Sequence, residues 1–538
     1  MRISLTLAIF MILSTVVHAQ TDTLRTDIID VIKPFKATLS ESIKIQSNPN
    51  PEIPEVRKPE FSYKLPEIKH NDIPTIYTIK PLSLGTALLP KIKNNYTRLG
   101  FGNYSMPLAE IYLNSKRNKN YQLGAFYKHL SADAENLQQF SNNTAGVYAK
   151  RFVDKGVVES DFLYHRNVVN LYGAKPTDIT SNADLLRNEF GLFQLGAAYG
   201  NVQKDTSKLM YKIGLKYYNY STNRDIDEND FILSGDFRKS IQGNPLNVYT
   251  AIQQNNTNTP TLNYNRVFVD VNPNYSLNIS SKFNLNLGFN STFFNDSNGL
   301  KYHFFPVADV AYQIIPRSLT VFGGITGNLQ RNTLRSITTE NAFVRGLSLE
   351  NTLNQFESFI GFRGLISAQT SFLVRTSWST IQNMLFYGSD SSLASQYTVY
   401  DNSSAGLFKF TAELNHEFYE HFHLGFTANY YGYDLSISAP FSRPTFTTST
   451  NLLYNISNKF LLRGEAFTWD KRTVQLNNSN VEASINSFVD LNIGIEYRYS
   501  KTVALFLNLN NLTNNKYQRW FALPVYGFNI LGGLAVSF

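Results

Sequence analysis

Alternation of apolar and polar residues with a period of two is the feature that most limits how this chain can fold. It is clearest from Val489 to Tyr499, where six apolar or aromatic residues alternate with five polar or small ones. The same pattern recurs at 283–290 and 503–510. This period is typical of strands that have one face in an apolar medium and the other in water. The chain from residue 95 to 538 is therefore predicted to be all-β.

The N-terminus predicts export. Met1 and Arg2 precede a short apolar run from Leu5 to Val17, and Val17-His-Ala19 resembles a cleavage site before Gln20. Residues 1–19 are therefore predicted to be a signal peptide. The sequence has no run of about 18 apolar residues, so any crossing of a membrane is expected to use strands.

Composition favours a membrane barrel over a soluble β-protein. Charged residues make up 17% of the chain, against about 25% in ordinary soluble domains. Aromatic residues make up 14%. Strands with one face in lipid and the other in water have this mixed, weakly charged composition. A secreted β-sandwich or β-propeller is the alternative.

Short and long connections alternate along the chain, as they do in outer-membrane barrels. The longer ones are predicted at 166–188, 332–352, 388–402, 475–486 and 514–526. Residues 95–538 are therefore predicted to form a transmembrane antiparallel β-barrel of about 22 strands, with an error of about two. Barrels of that size have a plugged lumen in outer-membrane transporters.

Residues 20–94 differ from the rest because they contain nine of the 19 prolines. Proline at this density removes hydrogen-bond donors and favours an extended segment. Two roles are open for this periplasmic or lumenal extension. It could occlude the lumen, since its extended length far exceeds the height of a barrel, or it could dock a partner in the periplasm.

The C-terminal sequence resembles the closing hairpin of TonB-dependent receptors. Within Leu505–Phe538, the run Asn-Leu-Thr-Asn-Asn-Lys-Tyr ends at Tyr517 and is followed by Trp520, Gly527 and the terminal Phe538. The resemblance implies a 22-stranded receptor barrel. It also implies that Phe538 is the signal by which the barrel-assembly machinery recognises the chain. The Arg that usually follows the Gly of this motif is replaced by Phe528.

The N-terminal region departs from that family. Such receptors carry a globular plug of well over a hundred residues, which residues 20–94 are too few to form. The segment is instead similar to the N-terminal extension of plugless TonB-receptor-like barrels of Bacteroidota, with counterparts at Val31–Phe35 and Ser40–Ile45. The resemblance therefore supports the barrel more strongly than it supports transport.

Two segments are candidate recognition sites. A short β-prone run is predicted to pair with a TonB-like energy transducer by strand addition, or else to be an incidental apolar patch; it comprises Asp27, Ile28, Ile29, Asp30, Val31 and Ile32. Aromatic residues beside an arginine in the last external loop are candidate ligand contacts, or else part of an interfacial aromatic belt; these are Tyr517, Arg519, Trp520 and Phe521.

Charged residues on the inward face of the last strands are candidates for tuning what passes through the lumen, or for an ion-pair network that holds the barrel shape. They are Arg463, Glu465, Asp490, Glu496 and Arg498. No catalytic, metal-binding or cofactor-binding residues are predicted. The sequence contains no nucleophile elbow, zinc-protease helix or phosphate loop, and His421 with His423 lacks a third ligand.

The sequence thus predicts an integral barrel of the Gram-negative outer membrane that takes part in uptake of a nutrient or solute. The alternative is a scaffold subunit of a larger outer-membrane complex, with residues 20–94 as its docking arm. Expected partners are outer-membrane lipid, the barrel-assembly machinery, and either a TonB-like transducer or an outer-membrane partner protein. No basic cluster indicates nucleic-acid binding.

Overall fold

The computed structural model describes residues 93–134, 137–173, 186–203, 205, 207–296 and 299–538. The predicted signal peptide and nearly all of the predicted proline-rich extension therefore lie outside the described residues. No helix in this described part of the chain is long and apolar enough to cross a membrane.

Strands form almost all of the regular structure. In chain order they are β1 (Tyr96–Gly102), β2 (Met106–Asn114), β3 (Tyr121–Asp133), β4 (Gln139–Val153), β5 (Gly156–Asn170), β6 (Arg187–Asn201), β7 (Met210–Thr222), β8 (Asp227–Ile241), β9 (Asn244–Asn258), β10 (Asn263–Asn278), β11 (Phe283–Asp296), β12 (Gly299–Ile315), β13 (Leu319–Gln330), β14 (Val344–Gly346), β15 (Thr352–Ser367), β16 (Thr370–Ser389), β17 (Gln396–Phe418), β18 (Phe422–Asp434), β19 (Phe446–Ile456), β20 (Phe460–Trp469), β21 (Arg472–Leu476), β22 (Val481–Ile485), β23 (Phe488–Arg498), β24 (Val503–Asn510), β25 (Gln518–Trp520), β26 (Leu523–Pro524) and β27 (Asn529–Ser537). One helix, α1 (Leu334–Glu340), and a 3-10 turn (Tyr419–His421) complete the described elements.

Twenty-two of these strands form a closed antiparallel barrel, which confirms the predicted fold class. The other five, β14, β21, β22, β25 and β26, lie within connections. Each wall strand pairs with the next along the chain, and β27 closes the ring by pairing with both β24 and β1. At this seam Tyr96 lies opposite Ser537, and the backbones of Asn95 and Phe538 exchange two hydrogen bonds of 3.0 Å.

The period-two pattern separates the two faces of the wall. On β23, Val489, Leu491 and Ile493 are 45%, 37% and 39% exposed, whereas Asp490 between them is 6% exposed. Large apolar side chains are exposed in the same way on most wall strands. Because side chains alternate across a strand, the barrel has an apolar outer face and a polar inner face.

The connections differ at the two ends of the barrel. At the end where β1 starts and β27 finishes, which we call the turn end, most connections are tight. Gln242 and Gly243, for example, have φ values of 52° and 83°, as a type I′ hairpin turn requires. The opposite, loop end carries the long connections 331–351, 435–445, 470–487 and 511–528.

The predicted long loop at 388–402 is mostly strand. β16 continues to Ser389 and β17 begins at Gln396, so only residues 390–395 remain as a connection. These two strands are the longest in the barrel, with 20 and 23 residues. The polar and small residues at 388–402 suggested a loop, but the hairpin is stabilised there by packing with other connections.

Candidate functional site

The long connections at the loop end pack against one another. We call connections 331–351, 390–395, 435–445, 470–487 and 511–528, with the ends of β16 and β17, the loop cap. Three of these connections, 331–351, 390–395 and 511–528, share a buried apolar cluster with the end of β16. The cluster contains Ile337, Val344, Leu349, Leu385, Tyr387, Ala394, Trp520 and Leu523. Connections 331–351 and 390–395 belong to neighbouring wall strands, whereas 511–528 joins β24 to β27 on another arc. The cluster therefore joins two arcs of the barrel at the loop end.

Connection 331–351 is the central element of the loop cap, and we call it the crossbar. It contains α1, whose start is fixed by a capping box between Thr333 and Ser336. Leu334, Ile337 and Thr338 of the helix are buried. A seven-residue helix has little stability of its own, so the contacts that bury it hold it in place.

Glu228 of β8 joins the crossbar to the inner wall. Glu228 is fully buried (0% exposed), and its Oε2 accepts a 2.7 Å hydrogen bond from the backbone N–H of Leu334. The Tyr218 hydroxyl donates to Oε1 at 2.9 Å, and the Thr257 hydroxyl donates to Oε2 at 3.1 Å. A carboxylate at a helix N-terminus is favoured by the unpaired N–H groups there.

Arg266 of β10 holds both ends of the crossbar. It is 2% exposed, and its Nη1 donates to the carbonyl oxygen of Asn332 at 3.0 Å and to that of Leu349 at 3.4 Å. Its Nη2 donates to the side chain of Asn255 at 2.7 Å. One planar guanidinium thus fixes the start and the end of the connection at the same point of the wall.

Further hydrogen bonds extend this contact along β6 and β7. The hydroxyls of Tyr220 and Thr338 are 2.7 Å apart, and the Asn188 side chain donates to the carbonyl oxygen of Ala342 at 2.9 Å. Leu334 also packs into a cluster of Phe190, Leu192, Tyr218 and Tyr220. The crossbar therefore rests on the inner faces of β6 to β10 through polar and apolar contacts.

The C-terminal end of α1 contacts a different arc of the barrel. Glu340 forms an ion pair with Arg443 of the β18–β19 connection and accepts a 2.8 Å hydrogen bond from the Tyr387 hydroxyl of β16. Burial alone would raise the pKa of the Glu340 carboxyl, but the charge and hydrogen bond of Arg443, with the hydroxyl of Tyr387, hold it below its usual range. Glu340 is therefore ionised at neutral pH.

The end of the β16–β17 hairpin is buried on both faces. A register shift between Gln382 and Met384 precedes it, and Asn383 at this shift has a φ of 54°. Beyond the shift, Tyr387 packs in the cluster with the crossbar, while Phe386 packs with Phe441 in a second cluster. A strand buried on both faces lacks the period-two pattern; the predicted loop 388–402 overlaps β16 only at its last two residues, 388 and 389.

Arg472 of β21 connects two other parts of the loop cap. It is 2% exposed and donates to the carbonyl oxygens of Arg519 and Gln518 at 2.6 and 2.7 Å. Its guanidinium lies 5.0 Å from the ring centre of Trp469. Burial lowers the pKa of Arg472 to about 10, so it remains a cation at neutral pH.

The four predicted ligand contacts occupy different environments in the loop cap. Trp520 is 7% exposed and packs edge-to-face on Tyr387, with ring centres 5.1 Å apart. Tyr517 stacks on Phe488. Arg519 is exposed, and its guanidinium lies 5.3 Å from the ring centre of Trp469. Phe521 is half-buried, and its carbonyl oxygen accepts from Gln396 at 3.5 Å. Arg519 is the most exposed of the four, Tyr517 and Phe521 are half-buried, and Trp520 is buried.

The predicted lumen charges lie on the face opposite Val489. Glu496 pairs with Arg463 at 3.5 Å and with Arg498 at 3.2 Å. Asp490 is buried and accepts a 2.6 Å hydrogen bond from the Tyr517 hydroxyl. Glu465 is exposed on the same face. The structure thus brings three of these five residues together in ion pairs. Asp27–Ile32 lie outside the described residues.

The crossbar and its wall contacts were missed by the sequence analysis, which treated 332–352 as a plain loop. One local signal was present. Thr333 and Ser336 have the spacing of a helix start, and Leu334 and Ile337 lie three residues apart, as on one helix face. No sequence pattern placed Glu228 or Arg266 beneath that helix, because these contacts join distant parts of the chain.

Comparison with solved structures gives the fold. The FrpB iron transporter of Neisseria meningitidis (F5-1 variant) matches with a TM-score of 0.67 at 11% identity, covering 84% of this chain and 83% of that one. The pyoverdine outer membrane receptor FpvA of Pseudomonas aeruginosa PAO1, with pyoverdine bound, matches with a TM-score of 0.63 at 11% identity, covering 84% and 79%. The barrel has the fold of these receptors.

A third similar structure is the siderophore receptor PirA of Acinetobacter baumannii, with a TM-score of 0.62 at 9% identity over 84% of this chain and 81% of that one. The receptor-type barrel that the C-terminal sequence indicated is therefore confirmed as a fold. At these identities the likeness extends to the fold alone. The chain matches no protein-family model, and it matches no curated protein at a significant level.

Proposed function

We propose that this protein is an integral barrel of the outer membrane that takes part in uptake of a nutrient or solute. The observation that carries the proposal is the 22-stranded barrel, which aligns over 84% of the chain with an iron transporter, a pyoverdine receptor and a siderophore receptor. The exposed apolar outer face supports the membrane location, since a soluble barrel would bury or charge such a face.

The orientation follows from barrel construction. Tight turns of outer-membrane barrels face the periplasm and long connections face the outside, so the loop cap is external in this proposal. Phe538 lies at the turn end, in the seam between β24 and β1, and we propose it as the residue read by the barrel-assembly machinery. Asp27–Ile32 remain the proposed pairing segment for a TonB-like transducer.

Arg519 and the inward-facing charges are the proposed solute contacts. Arg519 is the most exposed of the four predicted ligand contacts. Its guanidinium lies over the ring of Trp469, so a cation and an aromatic face are side by side there. The paired charges Arg463, Glu496 and Arg498 would then meet a solute in the lumen below. An iron chelate is the first solute class to test, because the similar proteins are named as an iron transporter, a pyoverdine receptor, a siderophore receptor and a ferric enterobactin receptor.

The test compares cells with and without the gene for accumulation of radioactive iron, supplied as ferric enterobactin or ferric pyoverdine. The uptake proposal predicts slower accumulation of at least one chelate in the deletion strain, restored by the gene on a plasmid. An Arg519→Ala variant should lower accumulation with little change in barrel abundance, whereas Arg317→Ala, in a turn-end connection, should not.

The scaffold alternative is tested in parallel by affinity purification from native membranes. Equal accumulation of both chelates, together with recovery of a stoichiometric outer-membrane partner, would count against uptake and for the scaffold. Recovery of the barrel alone would count against the scaffold. Fractionation of the membranes tests the location itself.

A further inference from the structure

We propose that the crossbar is a resident gate, which closes the barrel at the loop end and must leave the inner wall before a solute can pass. This proposal rests on the proposed function in one respect only, which is the location of the barrel in a membrane. It concerns what closes the lumen and does not depend on which solute is carried.

A barrel of 22 strands has a wide opening. Twenty-two strands about 4.8 Å apart and tilted by about 40° enclose a barrel roughly 40 Å across. An opening of that width would pass most small solutes without selection, so a membrane barrel of this size needs a closing element. The crossbar is a described segment whose contacts lie on both sides of this opening.

The crossbar is attached to two separated arcs of the barrel. At one end, Leu334 and Thr338 contact β7 and β8 through Glu228 and Tyr220. At the other, Glu340 contacts Arg443 between β18 and β19. The two wall strands that the crossbar connects, β13 and β15, lie between those arcs in the strand order. A segment held in this way spans the opening.

The contact between the crossbar and the wall has a large polar share. Much of it consists of hydrogen bonds from side chains that stay on the wall, notably Glu228, Arg266 and Asn188. Water can replace such partners when the crossbar leaves, so these groups remain hydrated on the exposed wall. The apolar contact with the wall is made by Leu334, which packs with Phe190 and Leu192. Three other apolar residues of the crossbar, Ile337, Val344 and Leu349, pack in the cluster with Trp520 and Leu385 of the loop cap. The contact with the wall, with its larger polar share, is thus the one that can open and re-form.

Conductance of the purified full-length protein in planar lipid bilayers tests the gate. One variant replaces residues 333–347 by a Gly-Ser linker of equal length, and a second lacks residues 20–92. The proposal predicts that the unchanged protein is closed, that the linker variant conducts in large steps, and that the truncated variant behaves as the unchanged protein does.

Folding of each variant is checked by the faster migration of unheated barrels in detergent gels. A folded linker variant that stays as silent as the unchanged protein overturns the proposal. Equal conductance of the truncated variant and the linker variant also overturns it, because residues 20–92 would then be the closing element.

A milder variant keeps the test decisive if the linker variant fails to fold. Glu228→Gln combined with Tyr220→Phe removes two wall contacts and leaves the chain length unchanged. It should show brief openings at least tenfold more frequent than the unchanged protein. The matched control is Glu159→Gln, which lies on the same inner face between Lys150 and Lys212, away from the crossbar. Openings equally frequent in the control and the double variant would overturn the proposal.

Discussion

Glu228 is a buried carboxylate whose described partners are all donors. Glu228→Gln would turn one of its two oxygens into an NH2 group that faces the N–H of Leu334 or the hydroxyl of Tyr218. Leaving a buried donor without an acceptor costs about 1–3 kcal/mol. We therefore expect the amide protons of Leu334 and Arg335 to exchange with solvent roughly 5- to 150-fold faster in this variant.

Hydrogen exchange measured by mass spectrometry on peptides that cover α1 provides the readout. Glu159→Gln is the control, since Glu159 is paired with two lysines on the wall and is not among the partners of the crossbar. If exchange in α1 is unchanged in the Glu228 variant, the carboxylate does not hold the helix.

Glu340 gives the loop cap a dependence on pH. Because Arg443 and Tyr387 hold its pKa below the usual range, the ionised form is favoured in the folded state. Its contribution to stability is therefore fully present above the ordinary carboxyl pKa of about 4.3 and is lost as the pH falls through the lowered value. Protection of α1 from exchange should then decrease between pH 5 and pH 3.

The Glu340→Gln variant isolates this group from other carboxylates. It should be less protected than the unchanged protein at pH 7, and the difference should become smaller as the pH falls toward 3. A difference that stays constant over this range would contradict the assigned role of the ion pair.

At the scale of elements, the loop cap depends on one aromatic anchor. Trp520 is 7% exposed and joins β25 to the crossbar cluster. Trp520→Ala would leave a cavity there, and such changes in a buried core cost about 3–5 kcal/mol. We expect proteases to cut connections 470–487 and 511–528 much faster in this variant while the wall strands stay resistant. Trp378→Ala is the control, because Trp378 is 44% exposed on the wall and its loss should leave the cap resistant.

Elements of the wall could be predicted from the sequence, and those of the loop cap could not. A wall strand such as β23 faces two media, so its alternating residues record the fold directly. The end of β16 is buried on both faces, and α1 is held by residues about a hundred positions away, such as Glu228. Local sequence carries little information about such contacts, so 332–352 and 388–402 were both predicted as loops.

At the scale of the whole molecule, closure of the ring depends on close packing at the seam. A Cβ atom at Gly533 of β27 would overlap the carbonyl oxygen of Leu99 on β1. Gly533→Val should therefore prevent closure and strongly reduce the amount of folded barrel in membranes. Gly464→Ala is the control, since a Cβ there would lie 3.4 Å from the Cβ of Leu452, an ordinary contact. Equal amounts of folded barrel in both variants would contradict this account of the seam.

The fold of the whole barrel could be predicted from the sequence for a physical reason. Alternating strands, the absence of a long apolar run and the sorting of connections into short and long all follow from a wall between lipid and water. The candidate site could be predicted from the sequence only in part. The aromatic and charged residues at 517–521 marked an important connection, but the burial of Trp520 in the loop cap depends on partners from other arcs of the barrel.

The central claim is that an outer-membrane barrel is closed from outside by its own crossbar. The chain contains no cysteine, so single cysteines can be labelled in intact cells with a membrane-impermeant maleimide polymer. Two labelling sites are compared, Asn480→Cys and Asp236→Cys. Residue 480 lies between β21 and β22 in the loop cap, and residue 236 lies on the inward face of β8 toward the turn end. We predict rapid labelling at 480 and none at 236, with labelling at 236 appearing when residues 333–347 are replaced by a linker. Labelling at 236 as fast as at 480 with the crossbar intact would contradict the account.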